Sequence, residues 1–318
     1  MAQPANSYDS YDLNGAREGL TNIIENISPT DVPFQSNIGR AKATSILHEF
    51  QTDSLSAAAS NAVIEGDDSA AEAQVATARL SNRTQISKKV VLVTGTANAT
   101  VKAGRGKNEL SFMLAKAGKE LKRDMEVDLC GKNPLVAGNA TTARKLRGFE
   151  SWVSTNTSYG TNGATNASTG VVTDGTQRAF TEAMLKTALQ KCFTEGGDPD
   201  CVMVGPFNKQ KVSGFGGIAT LYRDTAGSKG SANASILGAA DLYISDWGEV
   251  KIVPNRFQRD RTAMIIEKDK WAVAYLRPFR QEKLAKTGDS DKVHMLVEYT
   301  LEARQEASSG KVADLTTA

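Results

Sequence analysis

Histidine is nearly missing from this sequence: there are only His48 and His294, in unlike settings and outside any metal-ligand spacing. That leaves little for acid–base work near neutral pH or for a zinc site. The three cysteines, Cys130, Cys192 and Cys201, are odd in number and form no CxxC pair. They read as free thiols in a reducing cytoplasm rather than as a disulfide framework. GxSxG, HExxH and Walker A sequences are all absent. Gly95–Lys107 is a loose phosphate-loop lookalike without the GK[ST] ending, and Gly214–Gly217 lacks dinucleotide-loop spacing. No apolar run approaches the roughly 18 residues of a membrane span. The opening MAQPANSYDSYDLNG has neither a basic nor an apolar stretch, so no signal peptide and a cytoplasmic product are expected. Lys and Arg number 38 against 36 Asp and Glu, without the basic excess of a dedicated nucleic-acid binder. No convergent titratable set is present, so neither an enzyme nor a cofactor is expected.

What is present is organised around one stretch. Gly104–Gly131 reads as a single long helix, with Leu110, Leu114, Ala117, Leu121, Met125 and Leu129 recurring on one face. Lys116, Lys119, Lys122, Arg123 and Asp124 fall mostly on the other, and Lys116–Glu120 and Lys122–Glu126 have the spacing of surface ion pairs. Lys119, Lys122 and Arg123 read as a solvated face rather than a nucleic-acid contact. Gly118 inside the helix suggests close backbone packing, and Gly131 with Pro134 marks the stop.

Before this helix, Gly15–Ile27 has a short helical pattern that Pro29 and Pro33 end, leaving an extended arm. Ala41–Asp53 alternates as a strand with Ile46, His48 and Phe50 on one face. Ser54–Ala76, rich in Ala and Ser and carrying Glu65, Asp67, Asp68 and Glu72, reads as a projecting loop with solvated carboxylates rather than a cation site. Arg79–Val93 is extended again, expected to start in solvent and end inside the protein. Together these predict a two-stranded arm. Arg79, Arg83 and Lys89 are expected to share a face that meets the acidic stretch Glu65, Asp67 and Asp68 of a neighbouring copy.

After the helix, Ser154–Gln177 reads as an exposed connector, and Gln177–Thr194 as a second helix burying Phe180, Met184, Leu185, Ala188, Leu189 and Phe193. A strand Cys201–Gly205, a helix Asn208–Gly214 and a loop Thr225–Ala234 follow. Strands are predicted at Leu242–Ile244, Val250–Val253, Thr262–Glu267, Trp271–Leu276, Gln281–Ala285 and Val293–Ala303. In the last, Val297, Tyr299 and Leu301 alternate with Glu298, Thr300 and Glu302, which predicts one wet face. The class is α+β without a βαβ rhythm.

Several phrases together resemble a family. They are NIIENISPTDVPF (Asn22–Phe34), HEFQTDSL (His48–Leu55), NAVIEGDD (Asn61–Asp68) and LAKAGKELKRDMEVDL (Leu114–Leu129), then KIVPNRFQ (Lys251–Gln258), AYLRPFRQEKLAKTGDSDK (Ala274–Lys292) and LVEYTLEARQE (Leu296–Glu306). In this order, over nearly the whole chain, they are similar to tailed-bacteriophage major capsid proteins. The resemblance implies the Hong Kong 97-type phage capsid fold. It places an N-terminal arm at 1–40, an extended loop at 53–93, a peripheral domain at 41–52, 94–154 and 277–305 with its spine helix at 107–130, a flexible connector at 155–174, an axial domain at 175–276 and a C-terminal tail at 306–318. It also implies a shell subunit of the virion, assembled in the bacterial cytoplasm through hexamers and pentamers around double-stranded DNA. Scaffolding, portal and decoration proteins are the further partners it suggests, with no cofactor, metal or membrane. No long acidic prosegment precedes Tyr11, so a built-in scaffold is not expected. The alternative within the same fold is an encapsulin-like nanocompartment shell enclosing protein cargo.

Overall fold

The computed structural model describes residues 29–66, 75–100, 108–215 and 241–317. The expected arm helix Gly15–Ile27, the loop Thr225–Ala234 and the carboxylates Asp67 and Asp68 lie outside the described residues.

Among the described residues, helices α1 (Pro33–Asn37), α2 (Gly95–Ala99), α3 (Glu109–Cys130), α4 (Phe149–Trp152), α5 (Glu182–Thr194) and α6 (Pro206–Ser213) accompany fourteen strands. These are β1 (Gly39–Lys42), β2 (Leu47–Thr52), β3 (Ala78–Arg83), β4 (Gln85–Thr94), β5 (Asn156–Ser158), β6 (Ala164–Thr165) and β7 (Val172–Thr173). They continue as β8 (Cys201–Val204), β9 (Leu242–Ser245), β10 (Gly248–Pro254), β11 (Ala263–Ile266), β12 (Trp271–Lys283), β13 (Ser290–Ala303) and β14 (Gly310–Val312). One sheet has the order β1-β12-β13-β4, a second β5-β14-β11-β8-β10-β9, and β2 pairs with β3 in a separate ribbon.

Asn108 starts α3 by accepting from the Ser111 amide at 3.3 Å, and 22 helical residues then span about 33 Å. Ala117, Leu121, Met125 and Leu129 are buried against β13 and the aromatic group Phe34, Phe149, Trp152 and Trp271. A Cβ on Gly118 would stand 3.3 Å from Met295 Cε, so the missing side chain lets α3 lie close to the sheet. Glu126 departs from the expected surface pair with Lys122. It is fully buried and accepts from the amides of Phe34 (2.7 Å) and Gln35 (3.0 Å) and from Asn255 Nδ2 (2.9 Å). Burial raises its carboxyl above the ordinary range despite these donors. The cause of the departure is α1: Pro33 occupies its first turn and starts rather than blocks a helix, whose N-terminal amides need a remote acceptor.

In the first sheet β12 is one strand where the sequence suggests two. Pro278 is accommodated because the register shifts between Tyr275 and Arg280, and β1 pairs only with Ala272–Tyr275 and its neighbourhood, leaving that edge of β12 open further on. β4 is an edge strand with Val90 and Leu92 half exposed, so the expected apolar, doubly buried end of Arg79–Val93 is corrected. The buried residues of the stretch are Val93 at its end and the polar Asn82 and Thr84 before it. The wet face predicted for β13 is also overturned, since Glu298, Thr300 and Glu302 are buried. The ribbon, together with Arg144 and Arg277, covers that face.

The second sheet separates two apolar clusters: Cys201 and Met203 of β8 face the α3 side, whereas Val202 and Val204 face α5. α5 buries Leu185, Ala188, Leu189 and Cys192, but Phe193 is 55% exposed beside Trp247. Residues 155–174 contribute β5 to this sheet, and Asn156 is buried. The presumed tail supplies β14, paired between β5 and β11. Asp174 ties the former stretch down through Lys132 (2.8 Å) and Arg259 (2.8 Å). Burial pushes its carboxyl up, but these two cations outweigh that and hold it down at about 2. The pair therefore stabilises the fold above the ordinary value of 3.8 and loses that contribution as pH falls toward about 2. Asp174→Asn should flatten the dependence of Tm on pH in that window, as thermal melts across an acid series will read. An unchanged slope would contradict the assignment.

Candidate assembly surface

The ribbon β2–β3 is fastened at its root and open at its tip. At the root, His48 Nε2 lies 3.0 Å from Glu302, and Phe50 stacks at a tilt on Trp152 with ring centroids 5.9 Å apart. Asn82 Nδ2 donates to the carbonyls of Leu301 (2.7 Å) and Arg147 (3.1 Å), and its Oδ1 accepts from the Arg147 amide at 2.8 Å. Next to it Thr84 Oγ1 donates to Glu298 at 2.9 Å. Glu298 also receives Arg277 Nε at 2.7 Å and Arg144 Nη2. Burial would raise the Glu298 carboxyl, yet these donors bring it below the usual carboxylate range. Glu302 is lowered in the same way by Arg304 and His48.

Between Thr52 and Ala78 the described residues of the loop are exposed, and its base lines a hollow with Gln305, Glu306 and Ala307. Residues 53–66 and 75–77 are exposed and without regular structure, and Leu55, Val63, Ile64 and Val75 are 97%, 73%, 83% and 71% exposed. A leucine and three β-branched aliphatics are thus left bare. Glu65 sits exposed at a turn whose Gly66 has φ +86°, a conformation suited to glycine.

The three basic residues expected on one face have three settings. β3 ends at Arg83, buried Thr84 intervenes, and β4 begins another sheet, so the alternation does not run through. Arg79 is exposed and pairs across the ribbon with Glu49 at 3.3 Å. Arg83 is half-buried, with its Nε enclosed and lacking a partner among the described residues. Lys89 pairs with Asp124 of α3 at 2.9 Å. The residues that the sequence reading missed are Asn82, Thr84, Arg144, Glu298 and Glu302. Their available signal was polarity inside strands, which reads as solvent exposure until the covering element is known.

The three cysteines are buried and free, and desolvation pushes the Cys192 thiol to about 12, the Cys201 thiol to about 11 and the Cys130 thiol well above its ordinary range. They are protonated at neutral pH and poor nucleophiles. Among the described residues no group of three or more His, Cys, Asp or Glu side chains has a metal-holding arrangement, and no helix is long and apolar enough to cross a membrane.

A long helix packs against one sheet, with a second sheet behind it and a ribbon alongside, and solved structures share the fold. The capsid asymmetric unit of cyanophage A-1(L) superposes with a TM-score of 0.65 at 13% identity, covering 98% of this chain and 99% of that one. The capsid of a native GTA particle gives a TM-score of 0.63 at 8% identity, covering 96% and 98%. The holo-SrpI encapsulin complex of Synechococcus elongatus gives 0.57 at 12% identity, covering 95% and 94%. At these identities the likeness concerns the fold, which is the Hong Kong 97-type. The family model of the SU10 major capsid protein matches residues 4–316. The major capsid protein of Escherichia phage Phieco32 is 29% identical over 353 residues, covering 98% of this chain and 97% of that protein. The chain belongs to the SU10 major capsid protein family and is a tailed-phage major capsid protein, a structural component of the virion shell.

Proposed function

We propose that copies of this chain assemble through hexamers and pentamers into the icosahedral head shell around double-stranded DNA, without catalytic turnover. The observation that carries this reading is the extended loop, whose Leu55, Val63 and Ile64 are left largely exposed. The domain assignment follows the same reading: 1–40 is the arm, 53–93 the extended loop, 41–52, 94–154 and 277–305 the peripheral domain, and 175–276 the axial domain. Glu65, Asp67, Asp68, Arg79, Arg83 and Lys89 are proposed as its inter-subunit contacts. Scaffolding, portal and decoration proteins are the proposed further partners.

A nanocompartment shell is the second reading, supported by the fold shared with the encapsulin. Family membership favours the phage shell. Electron microscopy of the purified chain, with analysis of co-purifying material, separates them. Closed particles or capsomers are expected, and protein cargo in place of DNA would favour the second reading. A clean monomer at every concentration would refute both.

The loop contacts have their own test. Arg79 is exposed and its pair with Glu49 is worth only about 0.2–1 kcal/mol, so Arg79→Glu should leave the melting temperature of the subunit nearly unchanged. Particle yield should drop at low salt and partly recover at high salt, because the like-charge repulsion the variant introduces recurs at every subunit and salt screens it. Normal yield across the salt series would remove Arg79 from the interface. Arg83→Glu is a less clean probe, since the half-buried side chain also serves the fold.

A further inference from the structure

Arg83 stands at the root of the ribbon without an anion among the described residues. It is half-buried, and its Nε is closed off with no acceptor. Its two terminal nitrogens make no bond to a described residue either. An arginine in open water needs no account, because water takes every donor. A guanidinium with a sealed Nε has lost part of that hydration, and an acceptor that comes to it restores the balance.

The side chain lines a hollow of about 400 Å³ together with Ile46, Ile86, Gly138, Thr142 and Arg144. One wall is the junction of ribbon and sheet, where the Thr84 amide donates to the Ile46 carbonyl at 2.9 Å. The other is the hairpin 136–145, in which Val136 and Lys145 exchange backbone bonds of 3.1 and 3.2 Å. Asn139 Oδ1 closes its turn by accepting from the amides of Thr141 (2.9 Å) and Thr142 (2.7 Å). Gly138 has φ +74°, and a Cβ there would stand 2.8 Å from the Cβ of Arg144, so the hairpin lies directly on that arginine. Arg144 Nε donates to the Thr84 carbonyl at 2.8 Å, one residue past Arg83. The hollow is therefore shaped before any ligand arrives.

Its charge is unbalanced. Arg144 and Arg277 share the buried Glu298, whose oxygens are taken by these two and by Thr84. Among the described residues no Asp or Glu lines the hollow. Three guanidiniums thus stand about one carboxylate, and the excess calls for an anion from outside. A guanidinium presents its nitrogens as a fork that fits two oxygens of an oxyanion. Phosphate carries about −1.5 to −2 charge near pH 7, which suits an excess of this size. Ile46 and Ile86, 44% and 43% exposed, add apolar walls that strengthen the attraction.

We propose that this hollow binds a phosphate group, as the free ion or carried on a nucleic acid, with Arg83 as its fork and Arg144 as a second positive charge beside it. The site does not depend on the shell reading. A neighbouring copy's carboxylate would compete for Arg83, so binding is read on full-length chains diluted below the concentration at which particles form.

Equilibrium dialysis with radiolabelled orthophosphate, at constant ionic strength in chloride, should show saturable binding. Tm should rise over the same concentrations and then level off. Phosphate also stabilises proteins generally by exclusion from their surface, but that effect does not saturate and survives Arg83→Gln. Arg83→Gln should therefore lose the saturable part many-fold and keep only the general one. Ile86→Glu, at an exposed position, sets a carboxylate on the rim and should lose the binding while melting like the parent chain in chloride. Saturable binding undiminished in both variants, or no saturable binding in the parent chain, would overturn the proposal. A short DNA duplex that displaces the label places the phosphate on nucleic acid, and label that stays bound makes the site one for the free ion; either result supports the hollow. Particles that form normally from chains without bound phosphate would leave the shell reading intact, and binding by chains that never assemble would remove that reading alone.

Discussion

Leu121→Asp is expected to unfold the larger core, whereas Lys122→Asp, one residue on, leaves it standing. Leu121 is 1% exposed at the middle of α3, packed in the cluster with Phe149, Trp271 and Val297, and a carboxylate there would have no designed donor. The lost apolar burial and the stranded charge together cost about 4 kcal/mol or more. Lys122 is exposed, and its replacement should remain within about 0.5 kcal/mol. Urea titration of both variants followed by tryptophan fluorescence reads the difference, because Trp152 and Trp271 sit in the same cluster. Equal midpoints would mean that the helix face is assigned wrongly.

Glu298→Ala should be nearly as damaging, for a different reason. Its carboxylate is 2% exposed and holds Arg144, Arg277 and Thr84 together beneath the root of the ribbon. Removing it leaves two cations near one another without their anion, a loss of about 3–5 kcal/mol by the measure of broken buried pairs. Glu282→Ala, which removes an exposed partner of Arg280 and His294, should cost at most about 1 kcal/mol. A protease susceptible to the opened ribbon should also cut between Thr52 and Ala78 faster in the Glu298 variant before global unfolding. Wild-type stability in Glu298→Ala would show that the arginines find other acceptors at no cost.

These variants also show what the sequence alone can and cannot disclose. The apolar period of α3 was readable because a helix writes its buried face at intervals of three and four, and Leu121 falls on it. The paired ribbon was readable too, from two strand-like stretches flanking a segment without large side chains. Glu298 and Glu302 were not, since alternation with Val297, Tyr299 and Leu301 is the ordinary mark of a wet face. What covers them is β2 and β3, more than two hundred residues earlier in the chain, together with Arg144 and Arg277, and no local pattern announces such a partner. Glu126 was misread for the same reason: helix spacing offers Lys122 as its mate, whereas tertiary contact gives it the amides of α1. On the assembly surface the loop was legible by composition. The alignment of Arg79, Arg83 and Lys89 was not, because Thr84 separates two sheets within what reads as one extended run.

The position of β14 bears on when a subunit becomes competent. Gly310–Val312 is made after every other strand, yet it lies between β5 and β11, with Asn156 paired to Gly310 across 154 residues of sequence. Contacts so distant in sequence form late and slowly. On the ribosome, β5 therefore stays apart from β11 until residue 312 has emerged, and a prematurely terminated polypeptide lacks the strand that joins them. Stalled chains ending before Gly310 should accordingly be cut readily near Asn156, and chains extending well past it should resist; equal resistance in both would show that the sheet closes without its last strand.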